Sequence, residues 1–325
     1  MKTTVETATN LPLPTGITQD VPLQDKNWFG TGGAARYFAQ PTTAAALQEV
    51  IVLSKQQQLP ITVIGAGANM LIADEGVDGM VIRPAMQEIS TTEQDGAMVA
   101  VTAGAGVTIA ELITYCLERN IIGLEEFSGI PGTVGGSVYI NIHYFEHLLS
   151  QYMVRATVVD RQGTIAVVDN NWFNFGYNYS TLHNKEHIVV DATFLFRRVT
   201  PAEAAYAHGR SVEIIRHRER RYPTTGTCGS FFRNFFDHEV THTSNGKKMI
   251  YVAYYLDKLG VKGSLTVGGA QVSHQHANML VNTGTATSSD LIQLARIMQE
   301  MVYEKYGVIP QPECQLIGFS NYPLL

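Results

Sequence analysis

Three glycine-dense stretches limit what this chain can become: VIGAGANML (Val63–Leu71), VTAGAGVTIAEL (Val101–Leu112) and IPGTVGG (Ile130–Gly136). The first two stand behind runs that read as strands. A glycine in that place lets main-chain N–H groups approach a phosphate, because no Cβ intervenes. Neither of the first two is the dinucleotide fingerprint GxGxxG, since Met70 and Ile109 occupy the third glycine's place. One near-match of this kind is more often a tight turn between strand and helix than a phosphate site. Three of them, separated by strands, suggest one cofactor clasped by two subdomains. The missing fingerprint argues against a dehydrogenase of the doubly wound type and shifts weight to a different flavin fold.

The surrounding pattern agrees. Thr43–Gln57 has helical apolar spacing behind a threonine start, Ile61–Gly65 is a β-branched strand, and VDGMVIRP is a second strand closed by Pro84. Ile89–Val101 reads as strand, turn, strand, and GAGVTIAELITYCLERN as a turn entering a helix. GLEEFSGIPGTVGG is too glycine-rich to be regular over its first half. VRATVVDRQGTIAVVD predicts a hairpin and HIVVDATFLFRR a strand. Pro201 opens a helical segment that ends in a basic cluster, and SSDLIQLARIMQEMVYEKYG predicts a helix opened by serine and closed by Gly307. The predicted class is α+β. The predicted division is a tail over residues 1–20, a first cofactor lobe over 21–85, a second over 86–200, and a C-terminal domain over 201–325 whose last residues may return to the first lobe.

With 45% hydrophobic and 16% charged residues the 325-residue chain has globular composition, and its net charge of −6 argues against tracking a nucleic-acid backbone. The cysteines Cys116, Cys228 and Cys314 are far apart in sequence and show no metal-ligand spacing, so no metal site is expected and a reducing compartment is. The first twenty residues lack an apolar core of the secretory kind, and no stretch approaches the ~20 apolar residues of a membrane span. A cytoplasmic monomer without membrane or nucleic-acid partners is the expectation.

NWFGTGGAARYFAQPTT, VIGAGANMLIADEGVDGMVIRP, GLEEFSGIPGTVGGSVYIN, GSFFRN, GGAQVSHQHANMLVN and GVIPQPECQLIGF follow one another from Asn27 to Phe319. In this order they resemble the signature blocks of the UDP-N-acetylenolpyruvoylglucosamine reductase family. The resemblance implies two FAD-binding subdomains of the vanillyl-alcohol-oxidase type and a substrate-binding third domain. It also implies a reaction in which NADPH reduces FAD and the reduced flavin reduces the enolpyruvyl ether of UDP-N-acetylglucosamine, for peptidoglycan synthesis. The implied cofactor contacts are Gly65, Ala66, Gly67, Ala68, Asn69, Met70, Gly104, Ile130, Pro131, Gly132, Thr133, Gly135 and Gly136. Ser230 corresponds to the family's proton donor and Glu313 to its C-terminal catalytic glutamate. Asn234 and Arg221 correspond to contacts with the substrate diphosphate.

The chain departs from the family at three places. FGYNYS puts Asn178 where the family has a catalytic arginine that stabilises the substrate carboxylate. NIHYFEHLL replaces a small, glycine-rich turn and brings His143 toward the flavin face, and the stretch after Asn234 is longer and more aromatic. Two readings follow: a working reductase in which His143 or a basic residue of the third domain supplies the missing charge, or an FAD-binding relative with another substrate or with reduced activity.

Overall fold

The computed structural model describes residues 16–325; of the tail expected over residues 1–20, residues 1–15 lie outside the described part, and Ile17–Pro22 is an edge strand. That strand opens a four-stranded sheet in the order Ile17–Pro22, Ala34–Ala39, Val77–Ile82, Ile61–Val63, antiparallel at its first pair and parallel at the others. Helix α1 (Ala44–Gln56) starts where the Thr43 hydroxyl accepts the Ala46 N–H at 3.1 Å. Its buried residues Leu47, Ile51 and Ser54 recur at helical spacing and form one buried stripe, with the Ser54 hydroxyl donating to Val50 O at 2.7 Å.

The second lobe is a six-stranded antiparallel sheet around the strand His187–Arg198. Along its neighbour Met98–Gly104, Val99, Val101 and Ala103 are buried while Met98, Ala100 and Thr102 are half-buried, the alternation of a sheet with one covered face. Helix α2 (Ile109–Leu117) begins in a capping box between Thr108 and Glu111. Helix α3 (Val134–Ile140) follows the glycine stretch, as its regular second half predicts. The two lobes share a core: Leu47 and Ile51 of α1, Met80 and Ile82 of the first sheet, and Val159, Ile188 and Val190 of the second pack together.

Helix α4 (Pro201–Arg221) leads to the third lobe, in which α5 (Val252–Leu259) and α6 (Ser288–Tyr306) pack on a three-stranded sheet, Thr266–Val267, Ala270–Val272 and Leu280–Asn282. The cap of α6 is Thr287, one residue before the predicted serine start, and Gly307 ends it at φ 71°. The last strand, Gln315–Ile317, returns to the first lobe and pairs in parallel with Met70–Ile72. Phe29 and Leu71 of that lobe are buried in the core of the third. No helix among the described residues is long and apolar enough to cross a membrane.

Candidate active site

Between the first two lobes lies a cavity of about 220 Å³, walled by the main chain of Gly65–Met70 on one side and by Ile130–Thr133, Gly135 and Gly136 on the other. It adjoins a wider cleft of about 620 Å³ that shares Ala66 and Ile130–Gly132 and is rimmed by Lys26, Trp28 and Arg83. Twelve of the thirteen predicted cofactor residues line the inner cavity, and Gly104 does not. A Cβ on Gly104 would stand 2.4 Å from the Met86 carbonyl oxygen, so its glycine is required by packing against the neighbouring segment; Ala105 lines the cavity instead. Gly67 serves a second constraint besides the cavity. It has φ +71°, and a Cβ there would meet the Lys26 carbonyl oxygen at 2.2 Å. Tyr139, Arg161, Lys185, His187 and Gln315 also line the cavity, and none of them belongs to a glycine pattern that sequence reasoning could follow.

The predicted catalytic residues Ser230, Glu313 and Asn178 come from three stretches, and none of the three lines either cavity. Ser230 bridges to Met279, Phe232 bridges to Pro312, and the Glu313 N–H donates to the Phe231 carbonyl at 2.8 Å, so the serine strand and the glutamate segment run side by side. Buried Asn278 fastens this strand. Its carbonyl oxygen accepts from Phe231 N–H at 2.8 Å, and its side chain both accepts from Phe232 N–H at 3.1 Å and donates to Phe232 O at 2.7 Å. Glu313 is half-buried as a residue. Its carboxyl is nonetheless packed densely enough by protein that desolvation pushes it up to about 7, against a smaller opposing pull from the Asn178 amide.

Asn178 sits at the tip of a tight turn closed by Gly176 and Tyr179, with φ +52°, a left-handed conformation that asparagine tolerates better than most residues. The amide faces Glu313 closely enough to favour its ionised form. Even so, Asn178 Nδ2 is buried without a partner in full hydrogen-bonding geometry. The adjacent Tyr177 phenol is pushed up by burial first and then by the Glu313 carboxylate, while Asn234 and Arg233 act in the opposite direction. Tyr177, Asn178, Asn234 and Glu313 therefore converge on one place.

The charge missing at Asn178 is expected from His143 or from a basic residue of the third domain. His143 does reach the site, its ring 5.0 Å from that of Tyr177, but burial pushes its pKa down and holds it neutral. Arg233 faces Tyr177 and is held by two 2.7 Å bonds to the Glu239 carboxylate. Arg221 lies apart from this cluster, exposed at the end of α4 with its guanidinium 5.9 Å from the Tyr222 ring; its charge bears on His276, in the loop that carries Asn278.

Comparison with known proteins identifies the frame. The C-terminal domain of UDP-N-acetylenolpyruvoylglucosamine reductase matches residues 221–317, and an FAD binding domain matches residues 35–169. A UDP-N-acetylenolpyruvoylglucosamine reductase of Lactobacillus delbrueckii subsp. bulgaricus is 34% identical over 93% of this chain and 95% of its own length. The chain belongs to the UDP-N-acetylenolpyruvoylglucosamine reductase family. The family's member from Synechococcus is 32% identical over 96% of this chain and 97% of its own. The crystal structure of the reductase from Thermus caldophilus superposes with a TM-score of 0.73 at 27% identity, covering 92% of this chain and 98% of that one. Like other members of the reductase family, the protein is an FAD-dependent oxidoreductase with an α+β fold of cofactor lobes and a C-terminal domain. The residues present fit FAD. No carboxylate lines the inner cavity, and the glycines among its lining residues, Gly65, Gly67, Gly132, Gly135 and Gly136, leave main chain open to a diphosphate.

Proposed function

We propose that the chain reduces the enolpyruvyl ether of UDP-N-acetylglucosamine to UDP-N-acetylmuramate, with NADPH as the reductant, as a cytoplasmic monomer serving peptidoglycan synthesis. The observation that carries this reading is the convergence of Glu313, Asn234, Tyr177 and Asn178 beside the Ser230 strand, in a chain whose first two lobes enclose a cavity suited to FAD. Gly65–Met70 and Ile130–Gly136 hold the cofactor. When bound, FAD supplies a hydride acceptor for the nicotinamide and a hydride donor for the terminal carbon of the enol ether.

The protein's own groups handle charge and protons. As hydride reaches the terminal carbon, negative charge grows on the conjugated carboxylate, and the adjacent carbon needs a proton. Ser230 donates that proton; an alcohol is acid enough for an enolate-like acceptor. Glu313 keeps its own proton up to about pH 7, so it donates a hydrogen bond to the growing charge where an ionised carboxylate would repel it. Asn178 contributes an amide N–H with no competing partner, and Arg233 contributes positive charge at the rim. Asn234 serves the diphosphate from within the cluster, and Arg221 is assigned to the same diphosphate from its exposed position at the end of α4.

Stopped-flow mixing of the NADPH-reduced protein with the enolpyruvyl sugar nucleotide tests the proposal. Anaerobic reoxidation of the flavin with formation of the lactyl ether is the expected result. A flavin that stays reduced until oxygen is admitted would overturn it.

A further inference from the structure

The block GGAQVSHQHANMLVN contributes none of the reacting groups, yet its middle, residues 273–278, joins two elements that do. At one end the Gln275 side chain meets the last turn of α4. Its Nε2 donates to Glu219 O at 3.2 Å and to Arg220 O at 3.5 Å, next to Arg221. At the other end the loop pairs with the serine strand: Ser230 bridges to Met279, and Phe231 N–H donates to Asn278 O at 2.8 Å.

The loop's own bonds set its shape. Buried Ser273 accepts at Oγ from Gln275 N–H at 3.0 Å and from His276 N–H at 3.4 Å. Ser273 N–H donates to Met279 O at 2.8 Å, and Met279 N–H to His276 O at 3.1 Å. His276 Nδ1 accepts Asn278 N–H at 3.3 Å, a role open only to a neutral imidazole. Burial first, and then the Arg221 charge, push the pKa of this histidine down and keep it neutral. Asn278 is therefore fixed from its own side before it meets the serine strand.

The Asn278 side chain, 3% exposed, treats Phe232 as a neighbouring strand would. Its Oδ1 accepts Phe232 N–H at 3.1 Å and its Nδ2 donates to Phe232 O at 2.7 Å. On the opposite side Phe231 O accepts Glu313 N–H at 2.8 Å, so the serine strand lies between this loop and the glutamate segment. We propose that Asn278 is a positioning residue for proton transfer: through Phe231 and Phe232 it sets the place from which the Ser230 hydroxyl reaches the substrate. Asn278 touches neither substrate nor cofactor. Because the loop is also tied to α4, it holds the serine in register with the helix end that carries Arg221. Proton transfer needs its donor within hydrogen-bond reach, and a misplacement of ~1 Å can cost about 10²-fold in rate. Hydride transfer from NADPH to FAD needs no such donor, so Asn278 bears on one half-reaction alone.

A double-mutant cycle of Ser230→Ala and Asn278→Ala, followed by stopped flow in both half-reactions, tests this. The positioning role rests on Ser230 as the proton donor. Reoxidation by the enolpyruvyl sugar nucleotide that is not slowed in Ser230→Ala would overturn both together. With Ser230 as donor, Asn278→Ala should slow reoxidation at saturating substrate roughly 10- to 100-fold. Reduction by NADPH, the flavin content of the purified protein and the half-saturating sugar nucleotide concentration should stay near their wild-type values. In the Ser230→Ala background the same change should slow reoxidation no further, because its effect passes through the serine. Asn278→Asp keeps the shape and the acceptor but not the amide donor; it should slow reoxidation too, and it carries the cycle if the alanine protein does not fold. Additive effects of the two changes, equal slowing of both half-reactions, or reoxidation unchanged in the Asn278 variants would overturn the positioning role and leave Ser230 as the donor.

Discussion

From Gly65 to Met70 and from Ile130 to Gly136 the cleft is walled by main chain. The side chains of Tyr177, Asn178, Asn234 and Glu313, drawn from separate parts of the sequence, meet beside the Ser230 strand and form a second wall. The first wall presents amides whose positions follow from local turns, and it tolerates wide variation in the residues behind it. The second depends on how the third lobe sits against the second, and each position holds one chemical group. A departure from the family pattern is therefore expected to spare the first wall and alter the second. Asn178 stands in the second wall.

The sharpest way to break this contrast is at Ser230. Ser230→Ala should slow flavin reoxidation by the enolpyruvyl substrate roughly 10²–10⁴-fold, while reduction by NADPH stays near the wild-type rate in stopped-flow traces. Equal slowing of both half-reactions would mean that Ser230 belongs to the scaffold, like its neighbour Phe231. The matching test of the main-chain wall is Gly136→Val. A Cβ at Gly136 meets only the Thr133 hydroxyl, at 3.4 Å, so the added side chain intrudes on the cofactor and spares the fold. Overpacking of ~1–3 kcal/mol predicts FAD binding weakened roughly 10- to 100-fold, read from the flavin content of purified protein. Gly67→Val should instead lower the melting temperature, because its side chain would collide with the Lys26 main chain.

Glu313 ties the side-chain wall to pH. Its carboxyl is protonated below about 7 and ionised above, so reoxidation by the anionic substrate should fall about tenfold per pH unit once pH exceeds that value. Glu313→Gln should flatten this profile. Stability follows the same sign. The folded chain holds this proton after the unfolded chain has released it, so stability declines from the ordinary glutamate range up to about 7 and is level beyond. Glu313→Gln should accordingly melt higher than wild type at about pH 8 and not at about pH 4.

The smallest effect is expected at the position that differs most visibly from the family. Asn178→Arg adds a charged donor of the kind worth ~2.7–4 kcal/mol, but it places a long side chain on left-handed backbone at a cost of ~1–2 kcal/mol. A net gain of about tenfold in the reoxidation rate is the expected outcome. No gain would show that protonated Glu313 and Arg233 already meet the substrate carboxylate.

The helices and strands were readable because each follows a local rule: a threonine cap before α1, alternation in Met98–Gly104, a glycine at the end of α6. The glycine loops were readable for the same reason, although Gly104 shows the limit. Its sequence context equals that of Gly65, and only the position of the Met86 carbonyl, in the segment between Ile82 and Ile89, reveals that it packs tightly. Asn278 lies in the block GGAQVSHQHANMLVN, but its hold on the Ser230 strand through a buried side chain could not be read there, since the residues it joins lie 46 apart.

By itself the sequence determined the α+β class, the main-chain wall and the family, because these rest on short-range conformational preferences and on ordered blocks. Tertiary structure decided which charges operate. His143 and Arg233 are both basic residues near the inferred pocket in the sequence. Packing buries the imidazole against Tyr177 and keeps it neutral, whereas two bonds to Glu239 hold the guanidinium charged. Burial likewise turns Glu313 from an ordinary surface carboxylate into an acid that titrates at about 7. Desolvation depends on everything that surrounds a group, and that environment exists only once the three lobes have come together.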